Sequence, residues 1–329
     1  MPSKFIIITS INGITSAVKA FSKLHDWHVI VVGDKKTPPL RKNPFPNITF
    51  LSVDDQKKLK FSFHDVCPFN HYVRKNLGYL YAIQQGATWI TDSDDDNFPY
   101  ENWASDINET ASIETLSGAK VVNIYRYFTN QFIWPRGFPL NSILGSIRPK
   151  INHAKQNKIA VWQGLVDKDP DVDAIYRLII NKPITFKKRP PLALEPGTYC
   201  PFNSQNTIWT LKACFPYLYL PISVTFRFCD ILRGYIAQRG IWAMRAKLAF
   251  TSASAYQERN AHNFMDDFID EIPCYKQIGQ VIDLLDTIKL GGNPSEDIVF
   301  VYKRLQKLGI VNQNDLLGVQ AFVHDMQHL

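Results

Sequence analysis

No stretch of about 18 apolar residues occurs in the 329 residues of the chain, so no segment has the length that a membrane-spanning helix requires. The apolar run nearest the N-terminus, Phe5 to Ile8, is too short for the core of a secretory signal. Both absences lead to the expectation of a soluble, cytoplasmic protein. Cysteine is sparse. Cys67, Cys200, Cys214, Cys229 and Cys274 are scattered, odd in number and without zinc-like spacing, which argues against a disulfide framework and predicts reduced, buried thiols. The eight histidines form no metal-binding pattern either. Lys and Arg outnumber Asp and Glu by 37 to 30, a net charge of +7, yet the basic residues are dispersed. With no basic arm and no aromatic RNA-binding signature, nucleic acid is not expected as a partner. The charge suits nucleoside diphosphates or peripheral association with an anionic membrane surface equally well. Repeats and low-complexity tracts are missing too.

What is present is enough apolar material, 45% hydrophobic and 13% aromatic, for one large domain or two fused halves. Phe5 to Thr9 is a continuous apolar run fit for a buried parallel strand, followed by a helix to about Leu24. Strands are expected at Trp27 to Val32 and about Ile48 to Leu51, with a helix starting near Asp54. Tyr72 to Gln85 has helical spacing, and Gly86 stands where a helix would end. This alternation predicts an α/β fold whose first hundred residues form a doubly wound, mostly parallel sheet. Ligands bind outside the carboxyl ends of the strands in such sheets, and Asn12, Asp34 and Asp92 fall on that rim. Further on, Lys120 to Tyr127 reads as a strand. Helices are expected from about Asn263, with Ile278, Val281, Ile282, Leu285 and Ile288 on one face, then at about Ser295 to Leu308 and Asn314 to Met326.

The segment Trp89-Ile-Thr-Asp-Ser-Asp-Asp-Asp-Asn97 places Asp92, Asp94, Asp95 and Asp96 directly after a short apolar run. Carboxylates that close repel one another and need a cation or full solvation. Alternation along a strand aims Asp92 and Asp94 to one side, where they could grip a hard divalent ion, Mg²⁺ or Mn²⁺, whose shell substrate phosphates complete. The competing reading is an acidic, solvated turn.

The ordered motifs Val-Val-Gly-Asp-Lys-Lys-Thr-Pro (31–38), Tyr-Val-Arg-Lys-Asn-Leu-Gly-Tyr-Leu-Tyr-Ala (72–82), Asp-Ser-Asp-Asp (92–95), Trp-Pro-Arg-Gly-Phe-Pro-Leu (134–140) and Asp-Ile-Leu-Arg-Gly-Tyr (230–235) resemble the STELLO glycosyltransferase family. More distantly, they resemble the plant reversibly glycosylated polypeptides, the UDP-arabinopyranose mutases. The resemblance runs from about Phe5 to about Tyr256 and implies a GT-A fold: a Rossmann-like, mostly parallel sheet fused to a mixed acceptor-side half. The nucleotide-sugar-binding half would be 1–105 and the acceptor-side half 106–258, with a C-terminal helical extension at 259–329. It implies a UDP-sugar donor, a Mn²⁺ or Mg²⁺ ion, and a glycan or other hydroxyl acceptor. The family's membrane anchor and Golgi location are not carried over.

Residue by residue, the resemblance implies that Asp92 and Asp94 hold the metal and that Asp95 or Asp96 touches the donor sugar. Asn12 and Asp34 would line uracil and ribose, although Gly-Asp before Pro is also ordinary turn chemistry for Asp34. Arg74 would face the nucleotide, with Gly78 allowing close approach; periodicity alone allows a solvent-facing arginine. Asp230, at the start of a helix-like stretch, would be the base that takes the acceptor's proton or a helix cap. Asp171 and Asp173 would bind sugar hydroxyls. Arg136 matches the arginine that is glycosylated in the mutases, and it could instead pair with the diphosphate or serve the structure. A late histidine ligand of the family has no counterpart before His262.

Three other readings remain at this level. A haloacid-dehalogenase-like phosphatase would use Asp92 as nucleophile and Asp94 as acid, but normally on its first strand. A nucleotide-sugar mutase shares the donor residues. A non-catalytic interaction protein could use the same scaffold.

Overall fold

The first apolar run folds as β1 (Lys4–Thr9) and the second as β2 (Trp27–Val32) in the computed structural model, which describes residues 3–40, 45–145, 149–259 and 263–329. Between them α1 (Ser16–Phe21) starts where the Thr15 hydroxyl accepts from Val18 N, satisfying one of the free donors of its first turn. β3 (Ile48–Leu51) leads to α2 (Val53–Lys58), opened by a capping box between Ser52 and Asp55, and to the short α3 (Ser62–Val66). A 3₁₀ turn at Tyr72–Arg74 runs into α4 (Lys75–Gln84), and Gly86, at φ +84°, supplies the left-handed residue beyond its end. β4 (Trp89–Ser93) follows. β3, β2, β1 and β4 lie side by side and parallel, as the alternation in the sequence predicts.

α4 presses closely on this sheet. A Cβ on Gly78 would fall 2.5 Å from Ile7 Cγ2 and 2.7 Å from Val32 Cγ2, closer than packed carbon atoms tolerate. The close approach expected at Gly78 is therefore made to the sheet, not to a nucleotide.

Beyond β4 the chain returns to the same sheet through β5 (Asn97–Pro99), β6 (Thr110–Ser117), α5 (Tyr125–Phe128) and the long β7 (Lys150–Asp167). Then come α6 (Ala174–Ile179), β8 (Leu192–Leu194), β9 (Asn206–Trp209), α7 (Phe226–Ala243) and β10 (Lys247–Gln257). The strand order is β3-β2-β1-β4-β9-β7-β6-β8-β10-β5, with β7 also paired to β10. β9 runs antiparallel to β4, Asp92 opposite Thr207, so one mixed sheet joins the two halves of a mixed α/β protein. The strand expected over Lys120 to Tyr127 does not form. Asn123 accepts from Tyr125 N and donates to Ile133 O, an asparagine turn that starts α5 instead.

Three helices close the chain: α8 (Phe264–Thr287), α9 (Pro294–Lys307) and α10 (Gln313–Gln327). Ile278, Val281, Ile282, Leu285 and Ile288 are all buried, as their shared face predicts. Two carboxylates of α10 serve distant loops. Asp325 accepts from Ser62 N and Phe63 N at 2.9 and 2.8 Å, capping α3, whose own Phe61 offers no cap. Asp315 accepts from Ile222 N at 2.5 Å and Ser223 N at 3.1 Å. The last helix thus fixes a loop from each half. All five cysteines are free and buried. Among the described residues no helix is long and apolar enough to cross a membrane.

Candidate active site

A cavity of about 210 Å³ opens where β1 and β4 end. Asp94, Asp95, Asp96 and Asp230 border it, and so do Arg136, Arg227 and Arg259. The acidic turn after β4 is bolted down on two sides. Asp95 Oδ2 accepts from the Ser10 hydroxyl at 2.5 Å and from Asn12 Nδ2 at 3.1 Å, and its carbonyl accepts from the Thr15 hydroxyl at 2.6 Å. Asp96 Oδ1 accepts from Gln257 Nε2 at 2.9 Å, which ties the turn to the end of β10. Asp94, half-buried, has the Tyr72 hydroxyl at 3.5 Å.

Asp92 is not part of this cavity. It is fully buried, with Arg233 Nη1 3.0 Å and Trp209 Nε1 3.2 Å from Oδ2. Lys75 Nζ lies 3.6 Å from Oδ1, which also accepts from the Tyr79 hydroxyl. Asp92 and Asp94, expected to aim to one side, are not brought together: β4 ends at Ser93, so strand alternation no longer governs Asp94, and two buried cations face Asp92. The same contact explains the motif Asp-Ile-Leu-Arg-Gly-Tyr. Asp230 and Arg233 are three apart on α7 and share a face, one at the cavity and the other on Asp92 below it.

Asp230 is the fifth residue of α7, not its cap. The N-cap is Thr225, whose hydroxyl donates to Asp270 O. Asp230 Oδ2 accepts from Ser204 N at 3.1 Å, the Ser204 hydroxyl at 3.0 Å and Arg136 Nη2 at 3.0 Å. Its Oδ1, 3.0 Å from that same nitrogen, is buried and receives no hydrogen bond. Arg136 is locked in place. Its Nε and Nη2 grip Asp171 in a two-pronged fork at 2.7 and 2.6 Å, Nη2 also reaches Asp230, and Nη1 donates to Arg227 O. Gly137, at φ +80°, shapes this loop, and a Cβ there would strike Ile231 Cγ2 at 2.3 Å. With four of its five N–H groups committed, Arg136 has no free fork for a diphosphate and acts as an internal strut.

The remaining expected residues spread along the rim or leave it. Asn12 is exposed beyond β1, held to Asp95. Asp34, beyond β2, closes a turn with Thr37 and accepts from His71 N at 3.1 Å. Neither borders the cavity. Arg74 neither faces a nucleotide nor solvent: it is buried, its Nε donating to Gln56 Oε1 at 2.9 Å, with the Phe69 ring 4.4 Å away. Gln56 in turn donates to Gly33 O and Leu51 O, so the arginine braces the ends of β2 and β3. Asp173 is the N-cap of α6, away from the cavity. His262 lies outside the described residues. Sequence reasoning missed Lys75, Ser204, Arg227 and Arg259, since single polar residues in apolar or loop contexts carry no spacing signal.

Charge is unevenly satisfied here. Burial pushes the Asp94 carboxyl up to about 8, Asp96, Asp230 and Asp95 adding to the effect and Lys75 opposing it. Burial would also raise Asp171, but Arg136 outweighs it and holds that group below the usual carboxylate range. Asp173 is raised to about 6, by burial and then by Glu271. Its folded value lies above the unfolded one, so its contribution to stability is lost as pH rises from about 4 to about 6. Asp173→Asn keeps a capping side chain and removes this loss. The variant is expected to be more stable than the parent at pH 7.5, by up to roughly 3 kcal/mol, with the gap closing at pH 4, in urea unfolding at the two pH values. Among the described residues no group of three or more His, Cys, Asp or Glu side chains could hold a metal ion.

A family model described as STELLO glycosyltransferases matches residues 227–329. The chain is 29% identical over 307 residues to "Probable glycosyltransferase STELLO2" of Arabidopsis thaliana, an alignment covering 86% of this chain and 39% of that protein. It is equally similar to "Probable glycosyltransferase STELLO1" of the same plant, with 38% of that protein covered. The chain thus spans about two fifths of the length of the curated relatives it matches.

Proposed function

From a STELLO-like chain with five carboxylates gathered at one cavity on the carboxyl rim of its parallel strands, we propose a glycosyltransferase that moves sugar from a UDP-sugar to a hydroxyl of a glycan or other acceptor. The gathering of Asp94, Asp95, Asp96 and Asp230 carries the reading. Such a cluster calls for a cation, and Mg²⁺ or Mn²⁺ takes one or two carboxylates and completes its shell with substrate phosphates. Asp94 with Asp96 fits that donor set without a full protein cage; Asp92 does not. When bound, the ion would neutralise charge on the departing diphosphate.

The chain's own residues supply the rest. Asn12 and Asp34 mark the rim along which uridine would lie, and Asp95, fixed by Ser10 and Asn12, offers its other oxygen to a sugar hydroxyl. Asp230, which borders the cavity and is held by Ser204 and Arg136, is the carboxylate that would accept the acceptor's hydroxyl proton as the glycosidic bond forms. A nucleotide-sugar mutase would share the donor residues. Arg136, protonated and enclosed by Asp171 and Asp230, is a poor nucleophile for self-glycosylation.

The test is a melting-temperature screen of UDP and UDP-sugars with and without Mn²⁺, on the parent and on Asp94→Ala. At about 100 times its dissociation constant, a ligand of the native state adds roughly 2.7 kcal/mol. UDP with Mn²⁺ is expected to stabilise the parent and not the variant. An absent shift, or an equal one in Asp94→Ala, rejects the donor site.

A further inference from the structure

Arg259 and Arg227, two basic residues of the cavity, each keep a nitrogen that makes no hydrogen bond among the described residues. Arg259 Nη2 donates to Asp267 at 3.1 Å, while its Nε is buried with no partner among the described residues. Arg227 spends Nε and Nη2 on one oxygen of Glu271, at 2.9 and 2.6 Å. Its remaining nitrogen, Nη1, makes no hydrogen bond among the described residues. Both side chains border the cavity, and both are largely buried, Arg259 at 11% exposure and Arg227 at 8%. Folded proteins rarely leave a buried guanidinium donor such as Arg259 Nε unpaired without a reason in ligand or solvent.

We propose that Arg259 and Arg227 form an anion subsite, separate from the acidic turn, which takes a phosphate or carboxylate carried by the substrate. Guanidinium suits this task because its planar fork matches the oxygens of either group. Burial, and then the nearness of Arg227 and Arg177, lowers the proton affinity of Arg259, an imbalance that a bound anion would relieve. The subsite deepens the transferase reading, since it rests on this cavity being the substrate site. The anion has two sources in that reading, the diphosphate of the donor or the carboxylate of an acidic sugar.

The experiment is calorimetric titration of the full chain in EDTA with pyrophosphate and, separately, with D-glucuronate. Chelation removes any metal-borne route for the anion. At least one probe is expected to bind the parent, and R259Q is expected to weaken it by about tenfold, the loss of a charge-assisted hydrogen bond. Pyrophosphate alone assigns the subsite to the diphosphate; glucuronate alone assigns it to an acidic sugar. R259K keeps charge and bulk without the fork and guards against misfolding of the glutamine variant. Its binding is expected to fall below the parent's. If neither probe binds, or if both variants bind as the parent does, the subsite is overturned. Should UDP with Mn²⁺ fail to stabilise the protein while metal-free anion binding persists and responds to R259Q, the transferase reading falls and the subsite stands.

Discussion

Asp92→Ala is expected to lower the stability of the protein by about 3–5 kcal/mol, the usual cost of removing one partner from a buried ion pair. Two cations would be left behind. Arg233 and Lys75, both buried, face Asp92 at 3.0 and 3.6 Å. Lys75 Nζ would keep its bonds to Ser93 O and the Tyr72 hydroxyl, each 2.9 Å, but each cation would lose its ion pair among the described residues. Asp94→Ala makes the contrast. Its carboxyl stands at a cavity already crowded with negative charge, where burial and its acidic neighbours raise it to about 8, so its loss should raise stability at pH 7.5 rather than lower it. Urea unfolding of the two variants decides between an anchor and a ligand at position 92. A stability loss below about 1 kcal/mol in Asp92→Ala, the range of exposed pairs, would contradict the buried triad.

The first half of the fold was legible because it depends on local pattern. The continuous apolar run at 5–9 became β1, as a parallel strand buried on both faces requires, and the largely apolar stretches at 27–32 and 48–51 became β2 and β3. The helices after 263 were legible for a related reason: the shared face of Ile278 to Ile288 is a repeat of 3.6. The cavity was legible only in part. Asp94, Asp95, Asp96, Asp230, Arg136 and Asp171 do meet, yet which oxygen faces which nitrogen depends on register and crossing geometry. Asp92 and Asp94 differ by two positions and part company because the strand ends between them. Arg74 and Asp173 turned inward for a similar reason. Their partners, Gln56 for one and Tyr275 for the other, stand on other elements, and no local period records them.

Arg136→Ala should reverse the pH dependence of the region as well as weaken it. In the parent, Asp171 lies below the usual carboxylate range because Arg136 outweighs its burial. A depressed folded value means stability that is present above the unfolded pKa and is lost as pH falls through the folded one. Without Arg136, burial dominates Asp171, and Arg227, 3.8 Å away and committed to Glu271, compensates only in part. The folded value then rises above the unfolded one, and stability is lost as pH increases. Asp230 would also lose Nη2, one of the three donors on its Oδ2. The expected result is a loss of about 3–5 kcal/mol at pH 7.5, with a smaller deficit at pH 5, in denaturant unfolding across that range. Arg136→Lys, which keeps the charge but not the fork, should recover part of the loss and flatten the pH dependence. An equal deficit for Arg136→Ala at both pH values would mean that the residue acts by filling space, and the carboxylates it separates would then be indifferent to its charge.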